Sequence, residues 1–211
     1  MSRNDPHAYA SDSQPRVKHL DWSLRVDFDT RVLTAKVVLH LAKPVVENTV
    51  LDLDTRDLTI ESVVDDAGRA VRFTMHVADP ILGQRLELQL LAGVQFVTVT
   101  YCTSPNASAL QWLTPAQPRG GRFPYLYSQC QAIHARSIVP CQDSPAFRIT
   151  YSASIDVPRS LRAVMAAAQG DRRESDQRAV ESFTMPQPNW SLGLLAWLAV
   201  DLRTPITWST V

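Results

Sequence analysis

Between Leu20 and Phe28 apolar and polar residues change places at every step. Leu20, Trp22, Leu24, Val26 and Phe28 fall on one side, and Asp21, Ser23, Arg25 and Asp27 on the other. A helix repeats every 3.6 residues and would scatter these apolar groups around its axis, whereas a strand repeats every two. The segment is therefore a strand with one dry face, and that face requires a second layer to cover it. Asp29-Thr30-Arg31 then turns the chain into LTAKVVLHLA, so the first two runs read as a hairpin.

Further strand signals follow at VLDLDT (50–55), LTIESVV (58–64), VRFTMHV (71–77), RLELQLL (85–91) and VQFVTVTYCT (94–103), with a turn at Asp65-Asp66-Ala67-Gly68. Strands resume at FRITYSASIDVP (147–158). SLRAVMAAAQG (160–170) is compatible with one or two helical turns or with a strand, and GDRRESDQRA reads as a polar hairpin tip. VESFTMPQP and LGLLAWLAVDLR read as a closing strand pair, the last buried on both faces. The expected fold is all-β, with two or more packed antiparallel or mixed sheets in a single domain over residues 16–211. Residues 1–15 are polar and proline-containing, and are expected to form a flexible leader with no secretory signal.

Bulk composition narrows the function. The 211 residues are 45 % apolar, enough for a real core. Lys plus Arg and Asp plus Glu number 21 each, which gives no electrostatic case for nucleic acid or an anionic membrane. The longest apolar run, Leu192–Val200, is too short to span a bilayer. Three cysteines (Cys102, Cys130 and Cys141) suit a reduced, cytoplasmic setting better than a disulfide framework.

From 104 to 147 the strand pattern stops. Pro105, Pro115, Pro118, Pro124, Pro140 and Pro145 fall here, with Gly120-Gly121 between them, and no long helix survives that density. The segment reads as a long irregular connection anchored by Trp112, Phe123, Tyr125 and Tyr127. Inside it, SQCQAIHARSIVPCQDSP (128–145) concentrates groups able to do chemistry.

Several chemistries can be weighed there. A thiol nucleophile needs a base within reach, but Cys130 and His134 lie about 13 Å apart if 128–133 is extended at ~3.3 Å per residue. Cys130, His134, Cys141 and Asp143 do not have the paired short spacings of structural zinc, and no H-E-x-x-H occurs. Phosphate-loop and nucleophile-elbow motifs are absent as well. Asp52 and Asp54 share a strand face, read as solvated. What remains is binding by neutral amides. On an extended run Gln129 and Gln131 project to one side, where their donors and acceptors can grip a peptide backbone or an amine, or else hydrogen-bond loop backbone. Arg136 and Asp143 read as an internal ion pair.

The stretch SQCQAIHARSIVPCQDSPAFRITY (128–151) resembles the N-terminal domain of the leukotriene A4 hydrolase and aminopeptidase B-like zinc aminopeptidases. KHLDWSLRVDF (18–28), LDLDTRDLTIE (51–61), SALQWLTP (108–115) and PYLYSQCQ (124–131) resemble the same family in the same order. The resemblance implies a saddle-shaped β domain that packs on a thermolysin-like zinc domain and closes one side of its cleft, with a helical domain beyond. It places Gln131 where the aminopeptidase N branch carries a glutamate that holds the substrate's free amine. Gln129 and Ala132 would line the pocket beside it. Arg136, Pro140, Cys141, Asp143 and Pro145 match the family's R-x-x-x-P-C-x-D-x-P frame as scaffold.

The resemblance also implies what to look for elsewhere. The G-x-M-E-N loop, the H-E-x-x-H zinc ligands, the catalytic glutamate and the downstream tyrosine do not occur in the sequence. No catalytic or metal-ligating residue is therefore assigned to this chain, and zinc is expected in a catalytic domain outside it. The partners implied are that domain, on the same or a separate chain, and a peptide with a free N-terminus. The alternative is a freestanding, catalytically inactive peptide-binding module. An enzyme built on Cys130 or Cys141 is a third possibility.

Overall fold

The structure, a computed structural model, describes residues 5–117 and 123–189. Twelve strands form within them. The first two, β1 (Val17–Asp27) and β2 (Val32–Leu41), make the expected hairpin, with Trp22 opposite Val37. Its turn is held by the Asp27 carboxylate, which accepts from the amides of Asp29 (2.9 Å) and Thr30 (3.1 Å).

The remaining strands are β3 (Thr49–Thr55), β4 (Thr59–Asp65), β5 (Phe73–Met75), β6 (Gln84–Leu90), β7 (Phe96–Cys102), β8 (Leu110–Leu113), β9 (Tyr125–Ser128), β10 (Ile149–Pro158), β11 (Ala168–Glu174) and β12 (Arg178–Asn189). They assemble into a seven-stranded sheet ordered β11-β12-β10-β1-β2-β7-β4, a three-stranded sheet β3-β6-β5 and a two-stranded ribbon β8-β9. The large sheet is mixed, because β1 and β10 pair in parallel while its other pairs are antiparallel.

The core lies where the alternation placed it. Leu20, Trp22, Leu24 and Val26 of β1, Val37 and Leu39 of β2, Val97 and Val99 of β7 and Ile155 of β10 join one buried cluster with Leu51 and Leu53 of β3 and Leu86 and Leu88 of β6. The buried Trp22 indole donates to the Tyr101 hydroxyl (2.9 Å), which donates to the Ile138 carbonyl (2.8 Å). That chain ties the large sheet to the segment that follows β9.

Four expectations are corrected. The irregular connection over 104–147 contains the β8-β9 ribbon, since Trp112 and Leu126 pair across it. The polar hairpin tip shrinks to a turn at 175–177, because β11 continues to Glu174 as an exposed outer strand paired to β12. Within 71–77 only β5, three residues long, is strand. The leader is docked from Asp5 onward: Ala8 and Ala10 are buried, Tyr9 N donates to Asp54, and Gln14 exchanges two hydrogen bonds with the Asp52 backbone. The expected strand at 192–203 lies outside the described residues.

Gly83 shows why one loop needs its glycine. Its φ is +79°, and a Cβ there would stand 2.3 Å from the Thr55 carbonyl oxygen.

Candidate substrate-facing site

The ribbon delivers the site. One more ladder bond, from Gln129 N to Ala109 O at 2.8 Å, continues it past Ser128. The chain then bends instead of running extended to 133. His134 N donates to Cys130 O (2.8 Å), closing a turn over 131–134 that passes into a 3₁₀ turn at Ala135–Ser137. The bend has a physical cause: it carries Ala135, Arg136 and Ser137 into the interior, where all three are buried. The Gln131–Ala132 peptide is cis.

Gln129, Gln131 and Ala132, the residues expected at substrate, therefore come together on one exposed tip. Gln129 and Gln131 are not two rungs of a strand. The Gln129 carbonyl oxygen Oε1 accepts from the Gln131 backbone N–H at 3.1 Å, so one side chain braces the other residue.

Beneath the tip lies a buried cation with two carboxylates. The Arg136 guanidinium, fully out of solvent, donates from Nε to Asp143 Oδ2 (2.9 Å), from Nη1 to Leu82 O (2.7 Å), and from Nη2 to His7 O (2.8 Å) and Asp143 O (3.1 Å). The expected Arg136–Asp143 pair is present. Asp54 Oδ1 adds a third charge, 3.5 Å from Nη1.

Asp54 is not on a solvated face. It is completely buried, and its carboxylate accepts from the amides of Tyr9 (2.7 Å) and Asp143 (2.9 Å). The reason is tertiary. The segment around Cys141 pairs with the free edge of β3, Asp54 N donating to Cys141 O at 2.8 Å, and brings Asp143 and Arg136 to the Asp54 carboxylate, which Tyr9 also meets. Burial pushes Asp54 up to about 6 against the pull of Arg136. Burial also raises Asp143, against the same cation. For Arg136, burial disfavours the charge, but Asp54 and Asp143 outweigh it and raise its pKa.

The rest of the frame surrounds this cluster. Pro140 and Cys141 are buried, and Pro145 sits in an exposed turn where Phe147 N donates to Ser144 O at 3.0 Å.

The thiols are not poised as nucleophiles. Burial drives Cys130 up to about 12 and Cys141 well above the ordinary thiol range, so neither carries useful thiolate at neutral pH. The turn does bring Cys130 and His134 near one another, unlike an extended run, but the His134 ring is engaged elsewhere. Its Nδ1 lies 2.9 Å from Ser108 Oγ and 3.4 Å from Arg56 Nη1. Among the described residues no group of three or more His, Cys, Asp or Glu side chains is arranged to hold a metal ion. The zinc implied by the resemblance therefore does not fit the described part of this chain. No helix among the described residues is long and apolar enough to cross a membrane.

Comparison with known proteins decides the family. Residues 16–189 match the peptidase M1 N-terminal domain. The chain belongs to that family. Leukotriene A-4 hydrolase of Xenopus laevis is 35 % identical over 201 residues, covering 90 % of this chain and 33 % of the relative. Leucine aminopeptidase 2 of Pyricularia oryzae is 33 % identical over 183 residues, covering 83 % of this chain and 30 % of the relative. The solved structure of yeast LTA4 hydrolase in complex with bestatin superposes with a TM-score of 0.82 at 29 % identity, covering 95 % of this chain and 31 % of that one. The chain thus spans about a third of the length of the curated relatives it matches. The all-β fold and the likeness to leukotriene A4 hydrolase-like aminopeptidases both stand.

Within this M1 domain the sequence motifs located the tip and the Arg136–Asp143 pair. They did not reveal Asp54, Ser108 or Arg56. Asp54 carried one usable signal, its place two residues past Asp52 with the buried Leu53 between them. Ser108 and Arg56 carried none, because they meet His134 only across 26 and 78 residues of chain.

Proposed function

We propose that this M1 domain supplies one wall of the substrate cleft of a zinc metallo-aminopeptidase, where it helps to hold the free N-terminus of a peptide. Gln131 is the residue at the amine, through its side-chain carbonyl oxygen, and Gln129 and Ala132 border it. Zinc and the groups that cleave the bond belong to a catalytic domain beyond these 211 residues, which is the domain's partner in a cytoplasmic enzyme. The observation that carries this proposal is the exposed Gln129–Gln131–Ala132 tip on a hydrogen-bonded base built around the buried Arg136. A neutral amide accepting from an ammonium makes a charge-assisted hydrogen bond, worth about 1.5–3 kcal/mol. The names of the relatives, a leukotriene A-4 hydrolase and a leucine aminopeptidase, favour a peptide or similarly shaped ligand.

The test begins with capture of the native protein from its source cells by an antibody to this domain. We expect a species several times heavier than 23.5 kDa, cleaving dipeptide amides with a free N-terminus and sparing their acetylated forms. Gln131→Ala in that species should raise KM roughly 10- to 100-fold, the range set by one charge-assisted hydrogen bond. A lone 23.5 kDa species that gives no heat with free-amine peptides would overturn the proposal.

A further inference from the structure

We infer that His134 is a positioning residue for Gln131, its neutral ring pinning the 131–134 turn to Ser108 and Arg56 and so fixing the backbone that presents Gln131 and Ala132. The inference rests on the peptide-binding proposal for its functional meaning, though not for its geometry.

Five contacts converge on this residue. His134 N closes the turn onto Cys130 O (2.8 Å), and His134 O accepts from both the Ser137 amide (2.9 Å) and the Ser137 hydroxyl (2.8 Å). On the ring, Nδ1 meets Ser108 Oγ at 2.9 Å and Arg56 Nη1 at 3.4 Å. A guanidinium has only donors, so Nδ1 has to be the acceptor and the ring proton sits on Nε2. Both neighbours are themselves anchored. Arg56 N donates to Arg136 O at 2.8 Å, and the Arg56 side chain donates from Nη2 to the Ile81 carbonyl. Ser108 precedes Ala109, whose carbonyl receives Gln129 N and whose amide donates to Ser137 Oγ (3.0 Å). The turn is therefore bolted at its C-terminal end to two separate segments, at Arg56 and at Ser108–Ala109, and the ring supplies one bolt to each.

Protonation breaks the Arg56 bolt and reverses the Ser108 one. An imidazolium has no acceptor for Arg56 and places a cation beside its guanidinium, while its Nδ1–H has to donate to Ser108 Oγ, so that hydroxyl must turn from donor to acceptor. The charged groups facing the ring are Arg56, with Arg136 and Asp143 behind it. Desolvation, Arg56 and Arg136 push the imidazole below its ordinary range while Asp143 opposes them. Below that pH the Gln131 turn should loosen. The dependence thus regulates the same site that is proposed to hold the peptide amine.

The test uses nuclear magnetic resonance on the whole chain from about pH 7.5 to about pH 5, the span of an ordinary histidine titration. The Gln131 and Ala132 amides and the Gln129 side-chain amide should shift with the midpoint of the His134 ring, below 6.5. His134→Asn keeps an acceptor near Nδ1 at every pH and should abolish those shifts. Persistence of the shifts in H134N would trace them to the Asp54–Arg136–Asp143 cluster and overturn the inference. Calorimetric titration with leucyl-phenylalanine amide provides the second readout. Affinity in the natural chain should fall roughly tenfold over the same range, stay flat in H134N and be low throughout in H134A, as loss of about one hydrogen bond requires. H134A with unchanged affinity and a native melting curve would also overturn it. Coupled resonance shifts without any peptide heat would leave the positioning role standing and defeat the peptide-binding proposal instead.

Discussion

Arg136 neutralises the buried Asp54 and the half-buried Asp143 and satisfies carbonyls of Leu82, His7 and Asp143, and so belongs to four parts of the chain at once. Arg136→Met keeps most of the volume but strands Asp54 and Asp143. It should cost about 3–5 kcal/mol, read from urea unfolding midpoints. The pH dependence has a definite sign. Asp54 is raised in the folded state from 3.8 to about 6, so the folded chain holds that proton more tightly than the unfolded one. Its contribution to stability is full below the unfolded pKa and lost as pH rises through the folded one. Asp54→Asn removes this dependence. The difference in unfolding free energy between D54N and the natural chain should therefore move in favour of D54N from pH 3.8 to about 6 and level off above it. A constant difference across that window would refute the assignment. Of this cluster the sequence revealed the Arg136–Asp143 pair, seven residues apart in one stretch. Asp54 was hidden because strand alternation tells which face is not the core but cannot tell whether another segment covers it.

At the scale of elements, the Trp22–Tyr101–Ile138 hydrogen-bond chain is where the large sheet supports the site. Tyr101→Phe preserves the ring and removes the hydroxyl, and with it the bond from the Trp22 indole N–H and the bond to the Ile138 carbonyl. The expected cost is about 1–3 kcal/mol, with a lower melting temperature and an altered Trp22 emission as the checks. Legibility follows burial here. β1, β2, β7 and β10 announced themselves because each sets a full row of apolar side chains against the core. β11, AQGDRRE, has no such row. It is held by backbone pairing to β12 and by Arg172, which reaches the buried Glu181 at 2.6 Å. β8 and β9 escaped notice for a different reason. Prolines argue against a helix but leave short strands between them, and four-residue runs carry too few alternations to register.

For the whole molecule, long-range links tie the beginning of the described chain both to the large sheet and to the candidate site. The parallel β1–β10 pairing joins His19 to Thr150 across the middle of the chain, and such non-local pairing makes slow folding the expectation. Residues 5–10 reach the charged centre beneath the tip. His7 O accepts from Arg136 Nη2, Tyr9 N donates to Asp54, the Tyr9 hydroxyl donates to Gly83 O, and Ala8 and Ala10 are buried. This strap completes the polar shell around Arg136, so its loss matters more than its two small apolar side chains suggest. Removing residues 1–10 should cost on the order of 2–6 kcal/mol, from two buried polar groups losing a partner at about 1–3 kcal/mol each. Because one of those groups is Asp54, which would gain solvent, the shortened chain should also lose part of the pH dependence up to about 6 that D54N abolishes. Denaturation of both variants over that range is the check. A shortened chain as stable as the natural one, with the same pH profile, would mean that the strap rests on the domain without bearing on its charged centre.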